Sequence, residues 1–233
     1  FIIEGEKFVD EIPPDFHIEC FVVSQTFSLR NEISKYQNNC NTYIVNDNIF
    51  NMISDTITPQ GIMAICNKKT YSLDNLSKES TFFLLVDNLQ DPGNLGTLIR
   101  SGDAAGVDAV LLSDATVDIY NPKTIRSTAG SIFHLPIIQN LDLIESVKYL
   151  KSLKFKIIAA HLKGSNYHYQ IDFSDRVAIL IGNEGKGLSD ELTSVSDILV
   201  KIPMIGRAES LNATVASGIL LYEVVRQRLI SVD

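Results

Sequence analysis

Three glycine-marked segments concentrate residues able to do chemistry in this chain. The first is Asp87-Asn88-Leu89-Gln90-Asp91-Pro92-Gly93-Asn94-Leu95-Gly96, and it runs into a stretch that carries Arg100. Asn and Asp in such a segment cap a helix and free its leading N–H groups for an anion. The second is Gly182-Asn183-Glu184-Gly185-Lys186-Gly187. Its glycines suit backbone wrapped around a ligand, and a carboxylate flanked by glycines is hard to explain as packing. No Ser or Thr follows Lys186 in P-loop register, and the segment is not GxGxxG. The third is Pro203-Met204-Ile205-Gly206-Arg207-Ala208-Glu209-Ser210-Leu211-Asn212, ahead of a helix starting at Ala213. Ser210 or Asn212 would cap that helix. Read one at a time, each segment is also a tight turn or a capped helix start.

The elements around these segments explain why they belong together. Runs at 82–87, 109–112, 136–138, 155–160, 177–181 and 198–202 read as strands, several of them almost wholly apolar, as expected for strands buried on both faces. Helical stretches lie between them. Leu141, Ile144, Val147, Leu150 and Leu153 fall near one helix face. Asn121-Pro122 reads as a cap with Pro at the first helical position, and Gly106 as a helix end. Leu95, Leu98 and Ile99 mark one buried face, and Val215, Ala216, Ile219, Leu220 and Val224 another. Alternating strands and helices imply a mainly parallel α/β sheet. Ligands of such sheets sit beyond the carboxyl ends of the strands, where all three segments fall. Arg100, Lys186 and Arg207, with Lys123 and Arg126 after another strand, would make a local positive funnel there.

Residues 1–67 differ. Short strands at 1–3, 21–23, 43–45 and 62–65, with helices at 6–12 and 29–36, suggest a small α/β or α+β unit. Residues 67–79 are polar, lack periodicity and read as a linker. The expected domains are 1–70, a linker 71–80, and 81–233.

Composition sets the outer bounds. The chain has 233 residues, 45% hydrophobic and 21% charged, which is globular. No run approaches the roughly 18 apolar residues of a membrane helix. Opening on Phe1 in place of Met leads us to expect a missing preceding segment, and FIIEGEKF lacks the features of a signal peptide. Three scattered cysteines fit a reducing cytoplasm and supply no zinc spacing. The net charge is −8, with 6 Lys+Arg against 10 Asp+Glu over residues 1–78 and 14 against 18 over 79–233. Taken as a total, that speaks against nucleic acid, although placement overrides totals. Asn75-Leu76-Ser77 formally fits a glycosylation acceptor, which a cytoplasmic chain would not use.

NLQDPGNLGTLIR, GNEGKG and IPMIGRAESLNATVASG together resemble, in order and spacing, the three motifs of the SpoU (TrmH) class of the SPOUT methyltransferases. The resemblance covers about 150 residues. FIIEGEKFVDEI and TPQGIMAI also resemble the small substrate-binding domain that precedes the catalytic domain in many members. The resemblance implies transfer of a methyl group from S-adenosylmethionine to a ribose 2′-hydroxyl of RNA, a trefoil knot near the carboxyl end, and a homodimer through the knotted domain. It places Asn94, Arg100, Glu184, Ser210 and Asn212 in catalysis. It assigns Gly182, Asn183, Gly185, Ile202, Met204, Gly206 and Leu211 to the cofactor. Glu184 is expected to orient Arg100 or a neighbouring loop, and Ser210 and Asn212 the ribose or Arg100. Displacement at a sulfonium requires no metal. Ribosomal RNA is the expected substrate, transfer RNA the runner-up, and no membrane partner is expected. Two alternatives are a non-catalytic RNA-binding or ribosome-assembly protein and a Rossmann oxidoreductase. The latter requires GxGxxG where DPGNLG stands. His161 and His168 read as loop or core residues.

Overall fold

The computed structural model describes residues 1–30, 33–37, 40–76 and 79–230. The chain divides into two compact units, Phe1–Thr70 and Tyr71–Asp233.

The first unit contains β1 (Ile2–Glu4), α1 (Glu6–Asp10), β2 (Ile18–Ser24), α2 (Gln25–Arg30), α3 (Ser34–Gln37), β3 (Asn41–Val45), α4 (Asp47–Ile53) and β4 (Ile62–Cys66). The strands form one sheet in the order β1-β4-β2-β3. Strand β4 is antiparallel to both neighbours, and β3 runs parallel to β2. All four expected strands overlap these. A single helix over 29–36 is not what forms. Ser24 Oγ accepts from Phe27 N at 3.1 Å, which starts α2 earlier. The expected span also includes residues 31 and 32, which lie outside the described residues. Helix α4 was not expected from the sequence. Asn46 caps it by accepting from Asn48 N, and of its side chains only Phe50 is buried, while Ile49, Met52 and Ile53 are exposed. Phe21, Phe27 and Tyr36 pack their rings on one side of the sheet. Val22, Phe50 and Met63 fill the other.

The second unit contains β5 (Phe82–Val86), α5 (Pro92–Ala104), β6 (Ala109–Ser113), α6 (Pro122–Thr128), β7 (Ile137–Leu141), α7 (Leu143–Ser152), β8 (Lys156–Ala160), β9 (Asn166–Tyr167), β10 (Val177–Ile181), α8 (Asp190–Val195), β11 (Ile198–Lys201) and α9 (Ala213–Ile230). Among the described residues they build a seven-stranded sheet in the order β7-β6-β5-β10-β8-β11-β9. Its strand pairs are parallel throughout. The six expected strands are present. The two-residue edge strand β9 is too short to leave an apolar run. Residues 71–76 belong to this unit. A 3₁₀ turn at Leu73–Asn75 sets Leu73 and Leu76 against its core. Residues 77 and 78 of the expected linker, and so Ser77 of the glycosylation pattern, lie outside the described residues.

The core has two layers because the strands are apolar on both faces. Phe82, Leu84 and Val86 of β5 face α5 and α9 through Leu95, Leu98, Leu220 and Val224. Phe83 and Leu85 face α7 and α8 through Val147, Leu150 and Leu192. Each such side chain taken from water contributes roughly 1.5–3 kcal/mol. Helix α5 ends as its sequence suggests: Gly106 takes φ +72° while Val107 N reaches back to Gly102 O. The expected face of α9 is rotated. Ser217, Leu220, Leu221 and Val224 are buried, Ala216 and Ile219 are half-buried, and Val215 is exposed. A helix this rich in apolar residues presents more than one plausible stripe, and packing against α5 selects among them.

Candidate active site

Strand order dictates where the site forms. From β5 the chain moves through β6 to β7 on one side, then returns to build β8 to β11 on the other. Strands β5 and β10 flank the seam, where the connections turn to opposite sides. The first glycine-marked segment follows β5, the second follows β10 and the third follows β11.

Side-chain hydrogen bonds lock the three loops together. Asp91 caps α5 by accepting from Asn94 N at 2.8 Å. Asn94 Nδ2 donates to Glu184 Oε1 at 3.1 Å. The same carboxylate accepts from Asp91 N at 3.1 Å and Gln90 N at 3.3 Å. Asn212 caps α9, its Oδ1 accepting from Thr214 N at 2.8 Å and Thr214 Oγ1 at 2.6 Å. Its Nδ2 is then left to donate to Asn94 Oδ1 at 3.2 Å. Donors therefore run from Thr214 through Asn212 and Asn94 toward one negative charge. Burial pushes the Glu184 carboxyl up, but its donors outweigh that and hold it below the ordinary carboxylate range.

Glu184 is thus hydrogen-bonded to the first loop, and Asn212 to Asn94. Asn183 also serves the loops. Its Nδ2 donates to Asn88 O at 2.7 Å, and its Oδ1 accepts from Gly185 N and Lys186 N at 2.9 Å. Gly182 is required by close approach: a Cβ there would stand 2.4 Å from the Gly187 carbonyl carbon.

A cleft of about 420 Å³ opens beside these loops. Gly182, Asn183, Glu184, Gly185, Ile202, Met204, Ser210 and Leu211 line it, and Gly206 does not. The volume and the glycine-lined wall suit a nucleoside-sized ligand held by backbone groups. Asn94 and Asn212 stand outside the lining and join it through Glu184. Arg100 is exposed on α5 and does not line the cleft. Of the cations expected to gather, Lys186 lines the cleft, while Lys123 is paired with Asp91 at 3.0 Å.

His161, Leu162 and Lys163 also line the cleft; the sequence reading takes His161 only as a loop or core residue and passes over the other two. They follow β8, which lies between β10 and β11. The available signal was position: theirs is a fourth post-strand segment at the same sheet edge. Among the described residues, no group of three or more His, Cys, Asp or Glu side chains is arranged to hold a metal ion. None of the described helices is long and apolar enough to cross a membrane.

A parallel α/β sheet whose carboxyl edge carries a backbone-lined cleft and interlocked polar loops defines a class of small-ligand-binding enzyme folds. Residues 81–222 match the model of the SpoU rRNA Methylase family, and residues 1–64 match the MRM3-like substrate binding domain. The chain is 38% identical over 226 residues to the 23S rRNA (guanosine(2553)-2′-O)-methyltransferase RlmP of Bacillus subtilis (strain 168), covering 96% of this chain and 88% of that one. Among solved structures, the SpoU methyltransferase AviRb from Streptomyces viridochromogenes in complex with the cofactor AdoMet superposes with a TM-score of 0.86 at 26% identity, covering 98% of this chain and 90% of that chain. The AdoMet-bound rRNA methyltransferase from Sinorhizobium meliloti gives 0.83 at 31%, covering 97% and 87%. The chain belongs to the SpoU rRNA methylase family.

Proposed function

We propose that this protein methylates a ribose 2′-oxygen of ribosomal RNA, using S-adenosylmethionine bound in the cleft between the loops after β8, β10 and β11. One observation carries the reading: the hydrogen-bonded line from Asn212 through Asn94 to Glu184 joins all three motif segments at the mouth of one glycine-lined cleft. The methyl donor, when bound, would supply a sulfonium methyl carbon open to attack by a sugar oxygen, the bond to sulfur breaking and the neutral thioether leaving, which calls for no metal. The chain's own residues do the rest. Gly182, Gly185, Ile202, Met204 and Leu211 hold the donor. Ser210, exposed at the cleft, orients the ribose. Arg100, with an RNA phosphate, stabilises the developing alkoxide or relays its proton, since a guanidinium is a poor base.

The first unit selects the RNA, which the match to a substrate binding domain supports. With 10 acidic against 6 basic residues over 1–78, it relies on shape and unpaired bases more than on phosphates. Val215, Tyr222 and Leu229 form an exposed apolar stripe along α9, and we assign the homodimer to it. The trefoil knot and a cytoplasmic location complete the reading. Mapping 2′-O-methyl sites in total RNA from cells with and without the gene tests it. A site lost from ribosomal RNA is expected. Loss only from transfer RNA would replace the substrate, and an unchanged map would overturn the assignment. Calorimetry with the methyl donor separates an enzyme from a non-catalytic RNA binder, which need not bind it.

A further inference from the structure

The edge strand β9 ends on Tyr167, and the 3₁₀ turn that follows it, His168–Gln170, brings Tyr169 against the same ring. Tyr167 and Tyr169 stack with ring centroids 5.5 Å apart and planes 12° from parallel. The Lys201 ammonium lies 5.0 Å over the Tyr167 ring, and His168 meets the Tyr169 ring edge-on at 5.2 Å. Tyr169 is 53% exposed.

Register fixes where this pair stands. Tyr167 and Lys201 are paired in parallel strands, and each is the last residue of its strand. The stack therefore lies at the carboxyl edge of the sheet, where the cofactor loops open. Lys201 also lines the cleft, so one residue borders both the stack and the proposed donor site. Residues 161–170, His-Leu-Lys-Gly-Ser-Asn-Tyr-His-Tyr-Gln, contain no Asp or Glu in a chain that has 28. Rings and cations interleave along this segment, and the carboxylate that reaches His168 from α9, Glu223, is buried and paired with Arg226. Such a surface matches a polyanion with exposed bases better than a second copy of an acidic chain.

We propose that Tyr167, Tyr169 and Lys201 form a stacking platform for an unpaired base of the RNA, beside the cleft in which the methyl donor sits. An aromatic face accepts any base, so the platform contributes affinity and holds the strand open without reading sequence. Lys201 braces the inner ring and offsets phosphate charge. A base held out of its helix leaves the adjoining ribose free to approach the donor. This rests on RNA being the substrate, not on which RNA it is.

The test uses the full chain with S-adenosylmethionine present and a fluorescent single-stranded RNA of mixed sequence. The same strand annealed to its complement is the control. Tyr169→Ala is expected to weaken single-strand binding about tenfold, the effect of losing one stacked base. It should leave duplex binding and the calorimetric affinity for the donor unchanged. In turnover with ribosomal RNA the loss should fall on KM more than on kcat. Tyr169→Phe, which keeps the ring, should restore binding. A 5-bromouridine-substituted strand should photo-crosslink to Tyr167 or Tyr169 in the unsubstituted protein, which reads the contact without relying on a variant's fold. Equal single-strand affinity for Tyr169→Ala together with no crosslink overturns the platform. A change in sedimentation without a change in RNA binding overturns it too, and shows that the rings cover a second copy.

Discussion

The Nδ2 of Asn212 stands 3.2 Å from the Oδ1 of Asn94, although 118 residues separate them. Each asparagine sits at the start of a helix, and each has a second partner that settles which way its amide points. The pair links the first and third motifs, and Glu184 of the second motif accepts from Asn94 at its far end. A double-mutant cycle of Asn94→Ala and Asn212→Ala should return a coupling of about 0.5–1 kcal/mol in urea unfolding, as expected for neighbours sharing one network. Additive losses would show the contact to be energetically empty.

Arg100 tests the chemistry without disturbing the fold. Its side chain is exposed, and Leu98 and Ile99 beside it carry the packing. Arg100→Ala should lower kcat by at least the order of 10²-fold that follows removal of a catalytic group. Its stability should stay within about 0.5 kcal/mol of wild type. An unchanged rate removes Arg100 from the mechanism.

Glu184 makes a pH-dependent prediction. Its carboxyl is held below the usual range by the first loop's donors, so its charged form is favoured in the folded state. The resulting stability is present above the ordinary carboxylate pKa of about 4.3 and is lost as pH falls through the lower folded value. Glu184→Gln should therefore be less stable than wild type at neutral pH, by a small margin because the group is exposed. The gap should close in acid. Denaturant melts at neutral and acid pH measure it, and a gap of constant size would show that the charge is irrelevant. The same variant should slow methyl transfer by on the order of 10²-fold through misplacement of the first loop.

Two glycines predict distinct failures. At Gly96 a Cβ would meet Thr124 O at 2.4 Å and the Ser127 Cβ at 2.5 Å, so Gly96→Ala must push α5 from α6. A loss of about 1–3 kcal/mol in a thermal or urea melt is expected. At Gly182 the clash lies within the second loop itself, with backbone at Gly187 and Leu188. Gly182→Ala should abolish calorimetric binding of S-adenosylmethionine. Retained donor affinity would mean that the loop does not shape the cleft.

Much of this molecule was legible in its amino-acid order because local physics wrote it there. Strands buried on both faces must be apolar at every position, so Val177–Ile181 and its neighbours stood out. Caps need Asp or Asn ahead of the first turn, which marked Asp91, Asn121 and Asn212. Three glycine-marked loops at equivalent points of one sheet led to the cleft. Tertiary structure decided what depends on distant partners. Strand order brought β8 between β10 and β11, and with it His161 and Lys163 into the cleft. Packing against α5 chose the buried face of α9 from several apolar stripes. Glu184 turned toward Asn94 because the seam between β5 and β10 placed backbone donors there, a juxtaposition across 90 residues that no local pattern encodes.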